Sequence, residues 1–262
     1  MLGNHTSMGT QNKFIKGNYF YKKDTEDCYE SISEVLVNEL CLYIKNLPTV
    51  LDYFLFNEEG VCYSKLYTSK TVSDISLYRL IERSEYSHTL DVVYEVPSAI
   101  YYNAIIMATS ELTDINGDCV RDYFEKIILL DYITRNTDRH LNNILLLYDS
   151  ESGKYSFGPI MDNGRGLLSD TINFPMGMDI DRAYRMCSSR CKPFNENFDS
   201  QLSLIEGTLL YIDYKGFVSR INEILSDIDY YIPFKKRYFR RAVDFLLYSL
   251  KESEGKAWCG TI

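Results

Sequence analysis

Short polar side chains are concentrated in one part of the chain that lies between apolar runs. The stretch NTDRHLNNILL, residues 136–146, contains Asp138, His140 and Asn143. A second stretch, GPIMDNGRG, places Asp162 directly after an apolar step. Two carboxylates and an asparagine on adjacent loops form a hard set of oxygen ligands, which suits Mg²⁺ with a phosphate substrate better than it suits zinc. The residue types therefore indicate magnesium-assisted chemistry on a phosphate group.

The spacing of these residues favours phosphoryl transfer. Asp138 and Asn143 are five positions apart, which is the offset of the aspartate and asparagine in protein-kinase catalytic loops. Asp162 follows Asp138 by 24 residues and precedes a glycine by two, as the aspartate of the D-F-G motif does. Phosphoryl transfer requires little covalent chemistry of the protein. Asp-Arg-His alone could also be a helix cap with a structural histidine. The prediction therefore rests on this motif together with Asn143, Asp162 and the strands between them.

The elements that would position these residues begin with a small β-rich unit. KFIKGNYFYKK, residues 13–23, is typical of two strands joined by a Gly-Asn turn. CYESISEVLVNELCLYI, residues 28–44, has apolar residues at helical spacing. TVLDYFLF and GVCYSKLY, separated by Asn57-Glu58-Glu59, then predict a second hairpin. YFYKK and YESISE supply the strand lysine and helix glutamate that a kinase requires in this unit.

The pattern becomes mainly helical from about Ser73. GDCVRDYFEKIILLDYITRN, residues 117–136, has a wide apolar stripe and leads directly into the polar loop. NILLLYD and KYSFGPI predict a strand pair that returns the chain to this loop just before Asp162. Further helical segments are expected near 201–226 and 232–251. We therefore predict an α+β, bilobal, protein-kinase-like fold with a β-rich lobe at residues 1–68 and a helical catalytic lobe at residues 69–262.

The chain resembles the HipA-like kinases, bacterial Ser/Thr kinases of toxin-antitoxin systems, over most of its length. The matching segments are MGTQNKF for the phosphate loop, YKKDTEDCYESISEVLVNEL for the lysine strand and helix, LLDYITRNTDRHLNNILL for the catalytic loop, GPIMDNGRGLL for the metal loop, and the late segment CKPFNENFDSQL. Phosphatidylinositol kinases share the D-R-H-x-x-N pattern, but the N-terminal match and the PIMDNGR step favour the HipA-like assignment. The resemblance implies an autophosphorylating Ser/Thr protein kinase that uses ATP and Mg²⁺.

The same resemblance implies roles for individual residues. It assigns Asp138 as the catalytic base, Asn143 and Asp162 as Mg²⁺ ligands, and Lys22 as the lysine on the ATP phosphates. Lys13 is expected to help bind these phosphates by charge, because the adjacent loop is poor in glycine.

Neighbouring residues leave some choices open. Glu34 is the predicted partner of Lys22, with Glu30 as the alternative. Lys23 is disfavoured, because strand alternation points it to the opposite face and the family pattern of an aromatic, any residue and lysine fits Lys22. Arg139 and His140 are expected to brace the catalytic loop, and Arg165 could meet either a phosphate or an acidic neighbour.

The hydroxyl groups of the predicted phosphate loop suggest regulation. Thr6, Ser7 and Thr10 flank the expected ATP phosphates, and HipA-like kinases are inactivated by phosphorylation near this loop. A phosphate adds about −1.5 to −2 charge, which would repel ATP or pull the loop toward a basic group such as Lys13. An ordinary flexible N-terminus is the alternative interpretation.

Composition limits the classes of partner. A formal net charge of −9 and an isoelectric point near 5.0 argue against non-specific binding to nucleic acid or to anionic membranes. The seven cysteines form no framework, and the close pair Cys187 and Cys191 lacks further zinc ligands. We expect a cytoplasmic monomer that acts on a Ser or Thr hydroxyl of a protein. The chain is short for a HipA toxin, so toxin activity and an antitoxin-type partner stay open.

Two other functions are compatible with the sequence. A nucleotide-binding pseudokinase could work as an interaction module, although every catalytic residue type is present. A lipid or small-molecule kinase is the second alternative. The acidic charge balance and the lack of an evident membrane-binding element count against it.

Overall fold

The computed structural model describes residues 12–55 and 60–260 of the 262-residue chain. The strands are β1 Lys13–Lys16, β2 Tyr19–Lys23, β3 Phe54–Leu55, β4 Val61–Lys65, β5 Val72–Ser76, β6 Leu145–Asp149, β7 Lys154–Phe157, β8 Leu210–Ile212 and β9 Trp258–Gly260. The α-helices are α1 Glu30–Cys41, α2 Leu77–Glu82, α3 Ser98–Thr113, α4 Gly117–Thr134, α5 Ile180–Cys187, α6 Phe198–Leu202, α7 Tyr214–Ser226, α8 Ile228–Tyr231 and α9 Lys236–Ser253. The predicted regulatory hydroxyls at 6, 7 and 10 and the predicted turn at 57–59 lie outside the described residues.

An antiparallel sheet in the order β1-β2-β4-β3 forms the N-terminal part of the described chain. Gly17 has a φ of +60° between β1 and β2, a conformation that glycine adopts without steric cost. The chain passes from β2 through α1 before returning as β3 and β4. The apolar stripe of α1, including Ile32, Leu36 and Leu40, is buried. The first predicted hairpin and the predicted helix are therefore confirmed, and of the second hairpin the described residues show β3 paired antiparallel with β4.

Helix α4 passes through the centre of the main hydrophobic core. Its predicted apolar stripe is buried throughout: Val120, Phe124, Ile127, Ile128, Leu130, Tyr132 and Ile133. The helix packs against α3 and α9. It ends at Thr134, and the φ of +51° at the next residue, Arg135, turns the chain sharply into the polar loop. Because the apolar stripe of α4 is buried up to its last turn, the helix fixes the start of that loop within the interior.

A second antiparallel sheet, in the order β5-β6-β7, carries the chain from the polar loop to Asp162. The predicted pairing of β6 with β7 is confirmed, with Leu146 opposite Phe157. The predicted helical character from Ser73 was wrong at its start, because residues 72–76 form β5 and α2 begins only at Leu77. β5 pairs with β6, a strand far along the chain, so tertiary pairing and not local pattern decides its conformation.

The predicted helical segment near 201–226 is divided in the structure. Helix α6 ends at Leu202, and α7 begins at Tyr214. Between them, β8 pairs in parallel with β9 near the C-terminal end of the described chain. A strand of three residues is too short to show a period in the sequence. In the described part of the chain, no helix has the length and apolar character needed to cross a membrane.

Candidate active site

Lys22, Glu34 and Asp162 form a buried charged cluster between β2, α1 and the loop after β7. Lys22 Nζ lies 2.6 Å from Glu34 Oε1 and also donates to Asp162 Oδ1. The Lys22 and Glu34 side chains are 0% and 1% exposed, and that of Asp162 is 14% exposed. Lys22 Nζ also lies 4.7 Å from the centroid of the Tyr53 ring. The predicted strand lysine, helix glutamate and metal-loop aspartate thus meet at one point.

The ionisation of this cluster follows from the balance between burial and neighbouring charges. Burial opposes the charge of Lys22, but Asp162 and Glu34 outweigh it and hold the pKa of Lys22 well above its ordinary value. Burial likewise raises the pKa of Glu34, and Lys22 offsets only part of this effect. Burial would also raise the pKa of Asp162, but Lys22 and Lys13 together lower it. Asp162 is therefore an ionised carboxylate at neutral pH.

Lys13 contacts this charged cluster, whereas Glu30 has other partners. Lys13 Nζ lies 3.3 Å from Asp162 Oδ2, so two ammonium groups contact one carboxylate. Glu30, the alternative partner of Lys22, instead accepts hydrogen bonds from Thr25 and lies 3.5 Å from Arg165 Nε. Strand alternation buries Lys22 and leaves Lys23 exposed on the other face of β2.

Arg139 joins the polar loop to the loop that carries Asp162. Its guanidinium makes a bidentate contact with Asp131, with Nε–Oδ2 at 2.9 Å and Nη2–Oδ1 at 3.0 Å. It also donates to the carbonyl oxygen of Met161 and to Asn163 Oδ1, the latter at 2.6 Å. Both charged side chains are buried. The rigid, planar group of arginine suits this contact, because it donates in several fixed directions.

Asn163 connects the same loop to α1. Its backbone N–H donates to Glu34 Oε2 at 3.0 Å, and its carbonyl oxygen accepts from Ser33 Oγ at 2.9 Å. Gly164 follows, and a β-carbon there would lie 2.8 Å from the Glu30 β-carbon. The glycine after Asp162 is therefore explained by a close approach of the loop to α1.

Asp138 lies at the more open side of the site. Its side chain is 44% exposed, and Oδ1 accepts a hydrogen bond from Lys192 Nζ at 2.9 Å. Asn143 Nδ2 donates to the Asp138 carbonyl oxygen at 3.0 Å, which places the two predicted residues at opposite ends of one tight turn. Asn136 Nδ2 donates to the Asp162 carbonyl oxygen at 3.3 Å. The two polar loops are thus linked directly.

His140 and Arg165 are the remaining polar residues of the two loops, and each is surrounded by protein groups. Within the described residues, His140 Nδ1 is buried without a hydrogen-bond partner. Burial lowers the pKa of His140, despite the opposing effects of Asp138 and Asp162. Arg165 lies between acidic neighbours, 3.5 Å from Glu30 and 3.7 Å from Asp170.

The donor set fits Mg²⁺ bound together with a nucleotide. Within residues 12–55 and 60–260, no group of three or more His, Cys, Asp or Glu side chains is arranged to bind a metal ion. Cys187 and Cys191 therefore belong to no such group. Mg²⁺ usually takes only one or two protein carboxylates and completes its shell with water and phosphate oxygens. Asp162 is ionised and contacts two cations, and Asn143 can offer its amide oxygen while its Nδ2 donates to the loop. These residues would hold the ion, which would neutralise charge on the phosphates.

The small sheets and surrounding helices form a mixed α/β, kinase-like fold, which confirms the predicted fold class. The structure is similar to that of the Helicobacter pylori proinflammatory kinase CtkA, with a TM-score of 0.64 and 17% identity over 92% of this chain and 90% of that chain. The Shewanella oneidensis toxin-antitoxin protein HipA, solved with HipB and operator DNA, aligns with a TM-score of 0.44 and 11% identity over 94% of this chain and 64% of that chain. At 17% identity, the likeness to CtkA supports the kinase-like fold. No protein-family model and no curated protein sequence matches the chain.

Three residues at the site were not identified from the sequence. Asp131 lies among the apolar residues of α4 and was therefore overlooked. An acidic residue in a buried apolar stripe does, however, indicate that a basic partner is buried beside it. Asn163 follows Asp162 directly and was noted only as part of the motif. Lys192 lies in the late segment CKPFNENFDSQL. This segment resembles the family, but the resemblance assigned no role to its residues.

Proposed function

We propose that this protein is a Ser/Thr protein kinase that transfers the γ-phosphoryl group of ATP with the help of Mg²⁺. The observation that carries the proposal is the contact of Lys22 with both Glu34 and Asp162, because this lysine, helix glutamate and metal-loop aspartate are the set that kinase catalysis requires. Residues 1–68 would form the lobe that covers the nucleotide phosphates. Residues 69–262 would form the lobe that supplies the metal ligands and the base.

Each side chain has a defined part in the proposed reaction. Lys22, aided by Lys13, would bind the phosphates of ATP. Asp162 and Asn143 would bind Mg²⁺, and Asp138, on the open side, would accept the proton of the attacking hydroxyl. In-line transfer between fixed oxygens depends mainly on such positioning and electrostatic stabilisation.

Transfer of radiolabel from ATP tests this proposal against its rivals. Purified protein incubated with γ-labelled ATP and Mg²⁺ should place acid-stable label on Ser or Thr of itself or of a generic protein substrate. Asp138→Ala should lower the rate by roughly 100-fold or more, because a general base typically contributes that factor. Asp122→Ala is the matched control, since Asp122 pairs with Lys126 on the surface of α4.

The outcome separates the three function classes. Label on protein that depends on Asp138 supports the kinase. Nucleotide binding without any transfer, under Mg²⁺ and Mn²⁺, would favour the interaction module. Label that passes only to a lipid or a small molecule would favour the other class of kinase.

Calorimetric titration tests the separate roles of the two aspartates. Asp162→Ala should abolish the Mg²⁺-dependent part of ATP binding, because it removes a metal ligand. Asp138→Ala should leave most of the affinity, because Asp138 is proposed to act on the acceptor. Equal losses of affinity would show that the two roles are wrongly assigned.

Autophosphorylation of Thr6, Ser7 or Thr10 is the proposed means of control. Added negative charge beside the ATP phosphates would weaken nucleotide binding. Mass spectrometry after incubation with ATP should find phosphate on one of these residues, and the isolated phosphoform should bind ATP more weakly. Phosphate found only elsewhere, or a phosphoform with normal affinity, would contradict this mechanism. A partner of the antitoxin type stays a prediction.

A further inference from the structure

The ammonium group of Lys192 forms an ion pair with Asp138, the proposed catalytic base. Its Nζ lies 2.9 Å from Asp138 Oδ1, and the two side chains are 43% and 44% exposed. The pair joins the catalytic loop to a segment that follows α5, far away in sequence. An ion pair this exposed contributes only about 0 to 1 kcal/mol to stability. Stability alone is therefore a weak reason for the contact.

The backbone around Lys192 is held by hydrogen bonds from a buried side chain. Gln201 of α6 is buried and donates from Nε2 to the Lys192 carbonyl oxygen at 3.1 Å. Its Oε1 accepts from the backbone N–H of Phe194 at 2.9 Å. Cys191 and Phe194 are also buried. The backbone of Lys192 is therefore fixed, and its side chain extends from there to Asp138.

Helix α6 is in turn fixed to α4, the helix that leads into the catalytic loop. Asp199 Oδ1 accepts a hydrogen bond from Tyr132 at 2.7 Å, and the guanidinium of Arg135 lies 4.9 Å from the Phe198 ring centroid. One rigid support thus carries both members of the pair. Packing of the core therefore fixes the backbone positions from which the Lys192 and Asp138 side chains extend.

The other cations near the site are committed to different carboxylates. Lys22 contacts Glu34 and Asp162, and Arg139 contacts Asp131. These groups lie on the nucleotide side of the site or beneath the loops. Lys192 instead contacts the side chain that is proposed to face the acceptor.

We propose that Lys192 is a positioning residue for Asp138 in the transfer step, an inference that rests on the proposed kinase function. By fixing Oδ1, it leaves Oδ2 to accept the proton as the acceptor oxygen bonds to the γ-phosphorus. The bond from that phosphorus to the β–γ bridging oxygen breaks, and ADP leaves with the electron pair. The ammonium keeps the carboxylate oriented toward the acceptor and places positive charge beside the moving phosphoryl group.

Steady-state kinetics with three variants test this role. Lys192→Met keeps the aliphatic stem and removes the charge, so kcat should fall roughly 10- to 100-fold. KM for ATP should stay within about twofold, because the nucleotide contacts are elsewhere. Lys192→Arg keeps a cation and should recover most of the rate. Lys236→Ala, which breaks an exposed ion pair with Asp229 elsewhere on the surface, is the control and should behave as wild type.

The outcomes distinguish this inference from the proposed function. Wild-type transfer with an unchanged kcat in Lys192→Met would overturn the role of Lys192 alone. A parallel rise of KM for ATP, or an equal loss in Lys192→Arg, would also overturn it, since either result assigns the residue to binding or to packing. Absence of any phosphoryl transfer by the wild type would overturn the proposed function and, with it, the role of Lys192. Thermal unfolding of each variant confirms that the folded protein is being measured.

Discussion

Arg139 and Asp131 form a bidentate ion pair inside the protein, with N–O distances of 2.9 and 3.0 Å and side-chain exposures of 0% and 1%. The same guanidinium reaches the loop that carries Asp162, through the Met161 carbonyl oxygen and Asn163. One buried arginine therefore sets the relative position of the two polar loops.

Arg139→Met should destabilise the protein by about 3 to 5 kcal/mol, because it leaves the Asp131 carboxylate buried and unpaired. The free energy of unfolding in urea measures this loss. Adding Asp131→Leu to Arg139→Met should recover part of the loss, since no uncompensated charge then remains. Arg79→Ala, at an exposed pair with Glu82, is the control and should cost about 1 kcal/mol or less. A cost as small as this for Arg139→Met would contradict the bracing role.

Gly164→Ala should destabilise the protein by about 1 to 3 kcal/mol through overpacking. Its new β-carbon would lie 2.8 Å from the Glu30 β-carbon and 3.5 Å from the Glu30 α-carbon, so the backbone of α1 or the metal loop must shift. Because α1 also carries Glu34, the transfer rate should fall as well. Gly177→Ala is the matched control, since its β-carbon would meet no atom within 4 Å. Equal melting temperatures for the two variants would show that the close approach is unimportant.

Glu34→Gln should lower the transfer rate by roughly tenfold or more, because Lys22 would be balanced by Asp162 alone. Loss of the buried charged hydrogen bond should also cost about 1 to 3 kcal/mol of stability. Glu30→Gln separates the two effects, since Glu30 is buried on the same helix but contacts Thr25 and Arg165. Initial rates of labelling should fall only in Glu34→Gln. A similar loss of rate in both variants would show that Lys22 does not depend on Glu34 specifically.

Stability of the nucleotide-free protein should fall as the pH drops below about 6.5, in part because of His140. Burial lowers the pKa of this imidazole in the folded protein, so the unfolded chain takes up a proton at a higher pH than the folded one. The contribution of the neutral ring is complete above the unfolded pKa and is lost as the pH falls through the folded one. His140→Gln should show a smaller drop in melting temperature between pH 7.5 and pH 5. Identical pH profiles for the variant and the wild type would contradict this assignment.

Strand and helix periodicity indicated where several of the candidate site residues lie in the fold, and their roles stay predictions. Alternation along β2 distinguished the buried Lys22 from the exposed Lys23. Spacing placed Asp138 and Asn143 in one loop and Asp162 in another, and the β6-β7 pair returns the chain between them. Spacing alone does not separate Glu30 from Glu34, because residues four apart lie on the same face of a helix. Only the packing of α1 against the sheet and the metal loop gives Glu34 the contact with Lys22.

The sequence by itself determined the positions that local periodicity and motif spacing can encode: the hairpin around Gly17, the buried stripe of α4, and the order of the polar loops. Tertiary structure alone decided the contacts that join distant segments, such as Arg139 with Asn163 and Lys192 with Asp138. The strand pairs β5-β6 and β8-β9 belong to the same group. The physical reason is that a residue's neighbours within one helix or strand follow from its period. A charge pair or strand pair between remote segments depends instead on how whole elements pack, and no local pattern records that packing.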